Sequence, residues 1–489
     1  MKAMANAVVN GLKDIFRQVV NRVGNFFYGQ GNALTTEYNS VISDDTTNAI
    51  ESWLNLYMGA APWLEKNKAS LKLPVAIATE ISRLVTLEMQ LNISEDGVAS
   101  LNTANNSRAE FLSKQLKPLK DNIRVYCEYG CAGGGMMFKP YFDGKNISID
   151  CVKATDFKPL AFDSKGKITA CIFVEHKKQN DKFYHRVEKH ELKADGVYVV
   201  TNKAYKSSAV NSLGTETYLT DVPEWQELQP VQTLNNITAP LFAYFKVPLG
   251  NTVDMNSPLG VSVFARAVDL IEDADKQYQR YLWEFEGGEL AVNASEEVFT
   301  KDKNGRPILP VGRERLYRPF DMDGANDKFI DTFSPSLREA ELKNGLNSIL
   351  QKIEFNTGLA YGTLSDPQTI DKTATEIITS KQRSYSTITD IQRALQSALE
   401  DLIKAVDIYA SLYRLAPEGE YSVSFVWDDS IIVDADAERS RDMSEVRMGI
   451  MQKWEYRMKW YGEDEETARQ VIADSEAEKA QNYNTFNLS

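Results

Sequence analysis

The strongest constraint on the fold lies between residues 373 and 414. There Ile377, Ile388, Ile391, Leu395, Leu402, Val406 and Tyr409 mark a helical stripe. Just before it, Thr373-Ala-Thr-Glu376 has the form of a capping box, in which the threonine accepts from a free backbone N–H and the glutamate reaches back. At ~1.5 Å per residue this helix approaches ~60 Å, straight or kinked, which exceeds the diameter of a small domain. A chain of 489 residues is also too long for one core, so two or more folding units are expected.

The rest of the chain divides around that helix. Val8 to Phe27 reads as a basic amphipathic helix, with further helical patterns at Asn48 to Met58 and Val75 to Met89. From Ile123 to about Tyr244 the period shifts towards two, and Asp-Gly and Lys-Gly turn pairs separate the runs. Residues 1 to about 250 therefore read as one α+β domain. Next, Phe264, Ala267, Ile271, Ala274, Tyr278, Tyr281 and Phe285 recur at spacings of three and four, stopped by Gly287 and Gly288. Strand-and-turn pattern follows to Phe333, with Asn304-Gly305 as its hairpin signal, and a returning helix runs from about Ser336 to Asn356. A turn-rich loop, Leu359 to Asp371, leads to the long helix. After it the sequence predicts a strand at Tyr421 to Trp427 and two acidic helices, Asp434 to Trp460 and Glu463 to Gln481.

Charge argues against a protein that clamps nucleic acid over its whole surface, because the net is -14. Half of that, -7 from 15 acids and 8 bases, lies between Asp428 and Lys479. Between Lys301 and Arg318, in the strand-and-turn module, the balance runs the other way: Lys301, Lys303, Arg306, Arg313, Arg315 and Arg318 face only Asp302 and Glu314, a net of +4. Such a patch suits DNA, an acidic partner surface or simply solvent.

Catalytic chemistry is poorly supported. All four cysteines (Cys127, Cys131, Cys151, Cys171) and all three histidines (His176, His185, His190) fall between residues 127 and 190, but their spacing does not match a zinc site or an oriented nucleophile and base. Four cysteines at this length suit a reducing compartment. Gly130 to Gly135 lacks the Gly-Lys-Ser/Thr ending of a phosphate loop and reads as a tight turn before a strand. No catalytic residue, metal or cofactor is expected. No run suggests a membrane span or a secretion signal.

The order of parts, with several local runs, resembles the portal proteins of tailed bacteriophages, especially long-tailed phages infecting Gram-positive hosts. The runs are SPLGVSVFA (257–265), KTATEI (372–377), Gly133-Gly-Gly135 before Lys139-Pro-Tyr141, FKPL (157–160) and the stretch from Tyr184-His-Arg186 to His190. The likeness covers roughly residues 30 to 415. It implies an α+β, mainly helical portal fold: a wing at 1–256, a first stem helix at 257–288, a clip at 289–335 and a second stem helix at 336–358. A tunnel loop at 359–372, a long wing helix and strand at 373–427 and an acidic helical crown at 428–489 complete it. It further implies a virion protein, made in the host cytoplasm, forming a ring of twelve around a channel for double-stranded DNA. The large terminase subunit and later the head-tail connector proteins would dock at the clip, with the major capsid and scaffolding proteins as further neighbours. On this reading Lys301, Lys303, Arg306, Arg313, Arg315 and Arg318 form the docking surface. Lys372, Thr369, Gln368 and Lys343 would approach DNA, with Lys372 the leading candidate.

Two other classes remain open at this stage. A peripheral membrane scaffold would use residues 8–27 as its anchor. An enzyme of DNA metabolism would need a site that these motifs do not reveal.

Overall fold

The computed structural model describes residues 41–65, 68–87, 89–95, 107–209, 212–295, 298–309, 316–320, 330–367, 374–427 and 435–486. The helix expected at 8–27 lies outside them. The described residues form two compact units, divided after Phe425.

The first unit opens with helices α1 (Asp44–Tyr57) and α2 (Leu73–Thr86), strand β1 (Gln90–Glu95) and helix α3 (Arg108–Gly133). Ser43 caps α1 by accepting from the Thr46 amide, and Ser107 caps α3 by accepting from the Glu110 amide at 3.1 Å. Helices α2 and α3 pack on one another, and Ile77, Ile81 and Val85 of α2 and Leu112 and Leu116 of α3 are closed to solvent. Residues 123–133, read from sequence as the start of the β region, are the last turns of α3. Ile123, Cys127 and Cys131 stand four apart on its buried face, a helical spacing that the neighbouring glycines obscure.

Helix α3 ends because Gly134 adopts φ +86, the left-handed region that glycine enters without strain. Long-range packing fixes the residue type as well. A Cβ on Gly134 would lie 2.7 Å from the Gly260 carbonyl oxygen, and one on Gly260 would strike the Gly134 carbonyl. The glycine run at 133–135 and the SPLG run at 257–260 are thus two sides of one backbone contact. It is reinforced by the Val263 amide donating to the Cys131 carbonyl at 3.0 Å and the Val247 amide donating to Gly134 at 3.1 Å.

From there the chain makes two sheets. Strands β2 (Gly135–Phe142) and β3 (Ile147–Lys153) form a hairpin, and β10 (Ala243–Lys246) pairs with the other edge of β2. Strands β4 (Phe157–Phe162), β5 (Ile168–Gln179), β6 (Lys182–Leu192), β7 (Tyr198–Ser207) and β8 (Thr215–Thr217) follow one another as antiparallel neighbours, with β9 (Val231–Leu234) also on β7.

Helix α4 (Val268–Gly287) leads to a three-stranded sheet of β11 (Ala291–Ser295), β12 (Tyr317–Phe320) and β13 (Ile330–Phe333), and α5 (Glu339–Thr357) returns against α4. The carboxyl of Asp275 on α4, itself buried, accepts from Trp63 Nε1, Ser70 Oγ and the Leu71 amide, tying α4 to the segment before α2. At the far end Glu284 accepts from the Arg338 guanidinium at 2.8 Å.

The long helix α6 (Ala374–Leu412) has 39 residues, ~58 Å by its rise. Ile388, Ile391, Leu395, Leu402 and Val406 bury its stripe against β10, β2 and α2. Arg108 at the start of α3 reaches its last turns, donating to Asp407 Oδ1 and the Asp407 carbonyl at 2.6 Å each. Strand β14 (Tyr421–Val426) pairs with β1.

The second unit holds three helices among its described residues, where the sequence suggests two: α7 (Ala435–Met448), α8 (Lys453–Tyr461) and α9 (Glu465–Phe486). The amphipathic pattern runs across 449–452 without a visible stop, yet Gly449 takes φ +75 there. Gln452 and Glu455 then form a new capping box. Asp442, buried, joins α7 to α8 by accepting from Lys459 at 2.7 Å and Trp460 Nε1 at 3.0 Å.

Candidate functional site

Two places carry the residues that the sequence singles out: the segment between α5 and α6, and the basic hairpin beside β11–β13.

Helix α5 ends at Gly358, in the left-handed region at φ +75, and a side chain there would collide with Thr387 of α6. The chain then folds back along α5. Glu354 is closed to solvent, and its Oε1 accepts from the Leu364 amide at 2.6 Å and the Ser365 amide at 2.8 Å, while Oε2 accepts from Ser365 Oγ at 2.8 Å. Two turns earlier Asn347 Oδ1 accepts from the Asp366 amide at 2.7 Å. One turn before that, the Lys343 ammonium pairs with the Asp366 carboxylate at 3.1 Å. From the other side the Arg383 guanidinium of α6 lies 4.5 Å from the Phe355 ring and 5.2 Å from the Tyr361 ring.

Of the four residues expected near DNA, the structure therefore positions Lys343, at the foot of this segment and paired with Asp366. Gln368, Thr369 and Lys372 lie outside the described residues, as do Thr373 and the side chain of Glu376, the capping-box pair. Sequence reasoning missed Glu354 and Asn347. Nothing in the pattern of α5 separates a buried glutamate from a solvated one, because its partners are backbone amides of a loop.

The basic hairpin is built on Asp302. Its Oδ1 accepts from the Asn304 and Arg306 amides at 2.8 Å each, and Gly305 takes φ +79 to close the turn. Across the hairpin the Ile308 amide donates to the Thr300 carbonyl at 2.7 Å. Lys301, Lys303 and Arg306 all project into solvent from this turn. Arg318 on β12 is exposed too, its guanidinium 5.5 Å from the Phe333 ring. Arg313 and Arg315 lie outside the described residues.

The cysteines and histidines are spread through the β region and α3. Cys127 and Cys131 stack on α3, and the hydrogen bond with Cys127, then burial, push the Cys131 thiol up. His176 and His185 meet across β5 and β6 with Nδ1 atoms 2.7 Å apart, and His185 Nε2 reaches Ser207 Oγ at 3.1 Å. Burial depresses both imidazoles, to about 4 and about 3. His190 instead joins a charged cluster, bonding Tyr198 and Glu188 at 2.8 Å each. Burial opposes the charge on Glu188, but Lys139 at 2.7 Å, His190 and Arg186 outweigh it and hold the carboxyl well below its usual range. Lys139, Arg186 and His190 thus pair with Glu188 inside the sheet. Among the described residues no group of three or more His, Cys, Asp or Glu side chains could hold a metal ion, and no helix is long and apolar enough to cross a membrane.

No curated protein sequence matches the chain. A solved structure of the neck of a native GTA particle, computed with C12 symmetry, aligns over 90% of this chain and 98% of its own at 11% identity, with a TM-score of 0.41. The family model described as "Phage portal protein, SPP1 Gp6-like" matches residues 64–484, nearly the whole of both units. The chain belongs to this phage portal protein family.

Proposed function

We propose that the chain is the subunit of a twelve-membered ring at one vertex of a tailed-phage capsid, through which double-stranded DNA is packaged and later ejected. The observation that carries this reading is the family match across residues 64–484, which spans the helix pair, the module between them and the long helix. The parts are assigned as follows: residues 1–256 as wing, 257–288 and 336–358 as stem, and 289–335 as clip. Residues 359–372 are assigned as tunnel loop, 373–427 as the long helix and strand of the wing, and 428–489 as crown. The three-stranded sheet between α4 and α5 supports a clip at the end of a two-helix stem. The portal family is structural, and no catalytic step is assigned to the chain.

The charge distribution supports passage over capture. A net of -14 keeps phosphates from sticking, because like charge repels them and leaves no broad cationic surface to release counterions. Contact with DNA is left to the approach loop and the helix beside it: Lys372 is the first candidate, ahead of the neutral Gln368 and Thr369 in the loop and Lys343 on α5. The exposed bases Lys301, Lys303, Arg306 and Arg318, with Arg313 and Arg315, are assigned to docking the terminase large subunit and then the head-tail connector proteins. Capsid and scaffolding proteins would meet the outer face of the ring.

Electron microscopy of the purified protein tests the ring. A cone-shaped ring with a central hole, classified at twelve subunits inside particles, is the expected result, whereas dispersed monomers under assembly conditions would overturn it. Replacing Lys372 by Ala is expected to lower DNA packaging or retention while rings still form. Unchanged packaging and retention would remove that residue from the assignment.

A further inference from the structure

We infer that Glu354, assisted by Asn347, is a positioning residue that fastens the segment entering the channel loop to α5, so that the loop starts from a fixed place. The consequence for DNA rests on the portal reading; the fastening itself rests on geometry alone.

Four amide or hydroxyl donors from residues 364–366 converge on two side chains of one helix face, and both acceptors are buried, Glu354 completely and Asn347 nearly so. Residues 347 and 354 are seven apart, two helical turns, so their acceptors stand in line along α5. The returning chain lies antiparallel over them: residue 366 meets 347, and residues 364 and 365 meet 354. Within the segment the Gly362 amide donates to Ser365 Oγ at 3.2 Å, so the hydroxyl that binds Glu354 also closes the local turn. A carboxyl in this position has no water to fall back on. Removing it would leave the buried Ser365 amide and hydroxyl and the half-buried Leu364 amide without their acceptor, the costly direction for a hydrogen bond. Such a design is wasteful for a loop that only links two helices, since residue 358 already touches α6 beside Thr387. It is suited to a segment that must start from a fixed place.

The Lys343–Asp366 pair is the exposed end of the same fastening. Both partners reach solvent, so salt would weaken this contact and leave the Glu354 knot intact.

The test uses the full chain assembled into rings and compares Glu354→Ala, Glu354→Gln and Asn347→Ala. Glutamine can still accept from both amides through its oxygen and donate to Ser365 Oγ through its NH2, so it is the conservative rescue. Hydrogen exchange at Leu364 and Ser365 should rise roughly ten- to a hundredfold in Glu354→Ala, stay near wild type in Glu354→Gln, and rise at Asp366 in Asn347→Ala. In a phage complemented with each variant, Glu354→Ala should yield about tenfold fewer DNA-filled heads with ring formation unchanged, and Glu354→Gln should restore them. Unchanged exchange in Glu354→Ala overturns the fastening. Faster exchange with normal DNA filling overturns its role in positioning the loop. Should Glu354→Ala fail to assemble, Asn347→Ala decides by the same two measurements. A wild-type chain that forms no ring would sink the portal reading while the exchange data on the fastening still stood.

Discussion

The β region at 135–247 and the helix-sheet-helix region at 268–357 belong to the same compact unit but treat their large side chains in opposite ways. In the first, Phe138, Tyr198, Trp225 and Phe245 are fully buried, and the large apolar exceptions, Tyr141, Tyr218 and Val231, are few. In the second, Ile271, Ala274, Ala291, Ala294 and Ile353 are buried, mostly small residues, while Trp283 is 63% exposed and Phe355 57%. Phe285, Leu290, Ile308, Ile330, Phe333 and Leu337 are exposed with them. The charges differ in the same sense: Lys139, Arg186 and Glu188 neutralise one another inside the sheet, whereas Lys301, Lys303 and Arg306 point outward. The first region satisfies its large side chains within the chain's own compact unit. A region that leaves aromatic rings in water carries more apolar surface than a monomer needs, as expected of an element completed by other chains.

The largest expected effect follows from that contrast. Trp225→Ala opens a cavity beside Tyr184, Leu219 and Val222 and should cost about 3–5 kcal/mol of stability. Trp283→Ala should change monomer stability by no more than about 0.5 kcal/mol. Its cost should fall on assembly, raising the concentration needed for rings roughly thirtyfold if the indole is a contact anchor worth about 2 kcal/mol. Denaturant melts and mass photometry separate the two readouts. If Trp283→Ala destabilised the monomer as much as Trp225→Ala, the comparison would fail.

Next in size is the buried cluster. Lys139→Ala leaves Glu188 without its nearest cation and should destabilise by about 3 kcal/mol, as does breaking a buried pair from one side. The corresponding change on the surface, Lys301→Ala, should be neutral within about 0.5 kcal/mol by the same melt.

Acid should act on the same side of the comparison. His176 and His185 stay neutral in the fold down to about 4 and about 3, while the unfolded chain takes up protons near 6.5. Stability is therefore complete above pH 6.5 and declines as pH falls through the window below it, because the unfolded state then binds more protons. Glu188, held low, adds a loss in the same direction below the ordinary carboxylate range. Between pH 7 and pH 5 each imidazole should cost about 2 kcal/mol, on the order of 4 kcal/mol for the two together. Urea midpoints at the two pH values measure it, and His176→Asn with His185→Asn should flatten the slope. A slope that persists in the double variant would place the acid sensitivity elsewhere.

How far these features were legible from sequence depends on the range of the interactions that make them. The stripe of α6 and the turn at Asn304-Gly305 are local patterns, and both elements stand where local pattern puts them. The end of α3 was not legible. Ile123, Cys127 and Cys131 keep helical spacing, but the glycines after them read as a turn, and the Gly134 that ends the helix packs against backbone 126 residues away at Gly260. The break at 449–452 was hidden for a related reason, since an apolar pattern can continue across a short interruption between two helices. In the candidate site, a basic residue on a turn announces its exposure, whereas Glu354 looks like any solvated acid until the loop that covers it is seen. Lys343 shows the converse: chosen from sequence as a free cation, it has an acid of its own in Asp366.

A triple charge reversal on the hairpin should move stability little, and it sharpens what exposure means there. Replacing Lys301, Lys303 and Arg306 together by Glu leaves Asp302 and Gly305, which make the turn, untouched, so the melt should move by no more than about 1 kcal/mol. Reversing three exposed charges should nonetheless slow association with a partner of acidic surface roughly ten- to a hundredfold at low salt, with the difference shrinking as salt is added. The exposed Ile308 beside them offers the control: Ile308→Ser should weaken docking without altering its salt dependence. Surface binding of terminase and connector proteins to rings carrying each variant measures both effects. If charge reversal left the rates unchanged while Ile308→Ser reduced binding, the hairpin would dock through its apolar residues, and its bases would be a solvated rim.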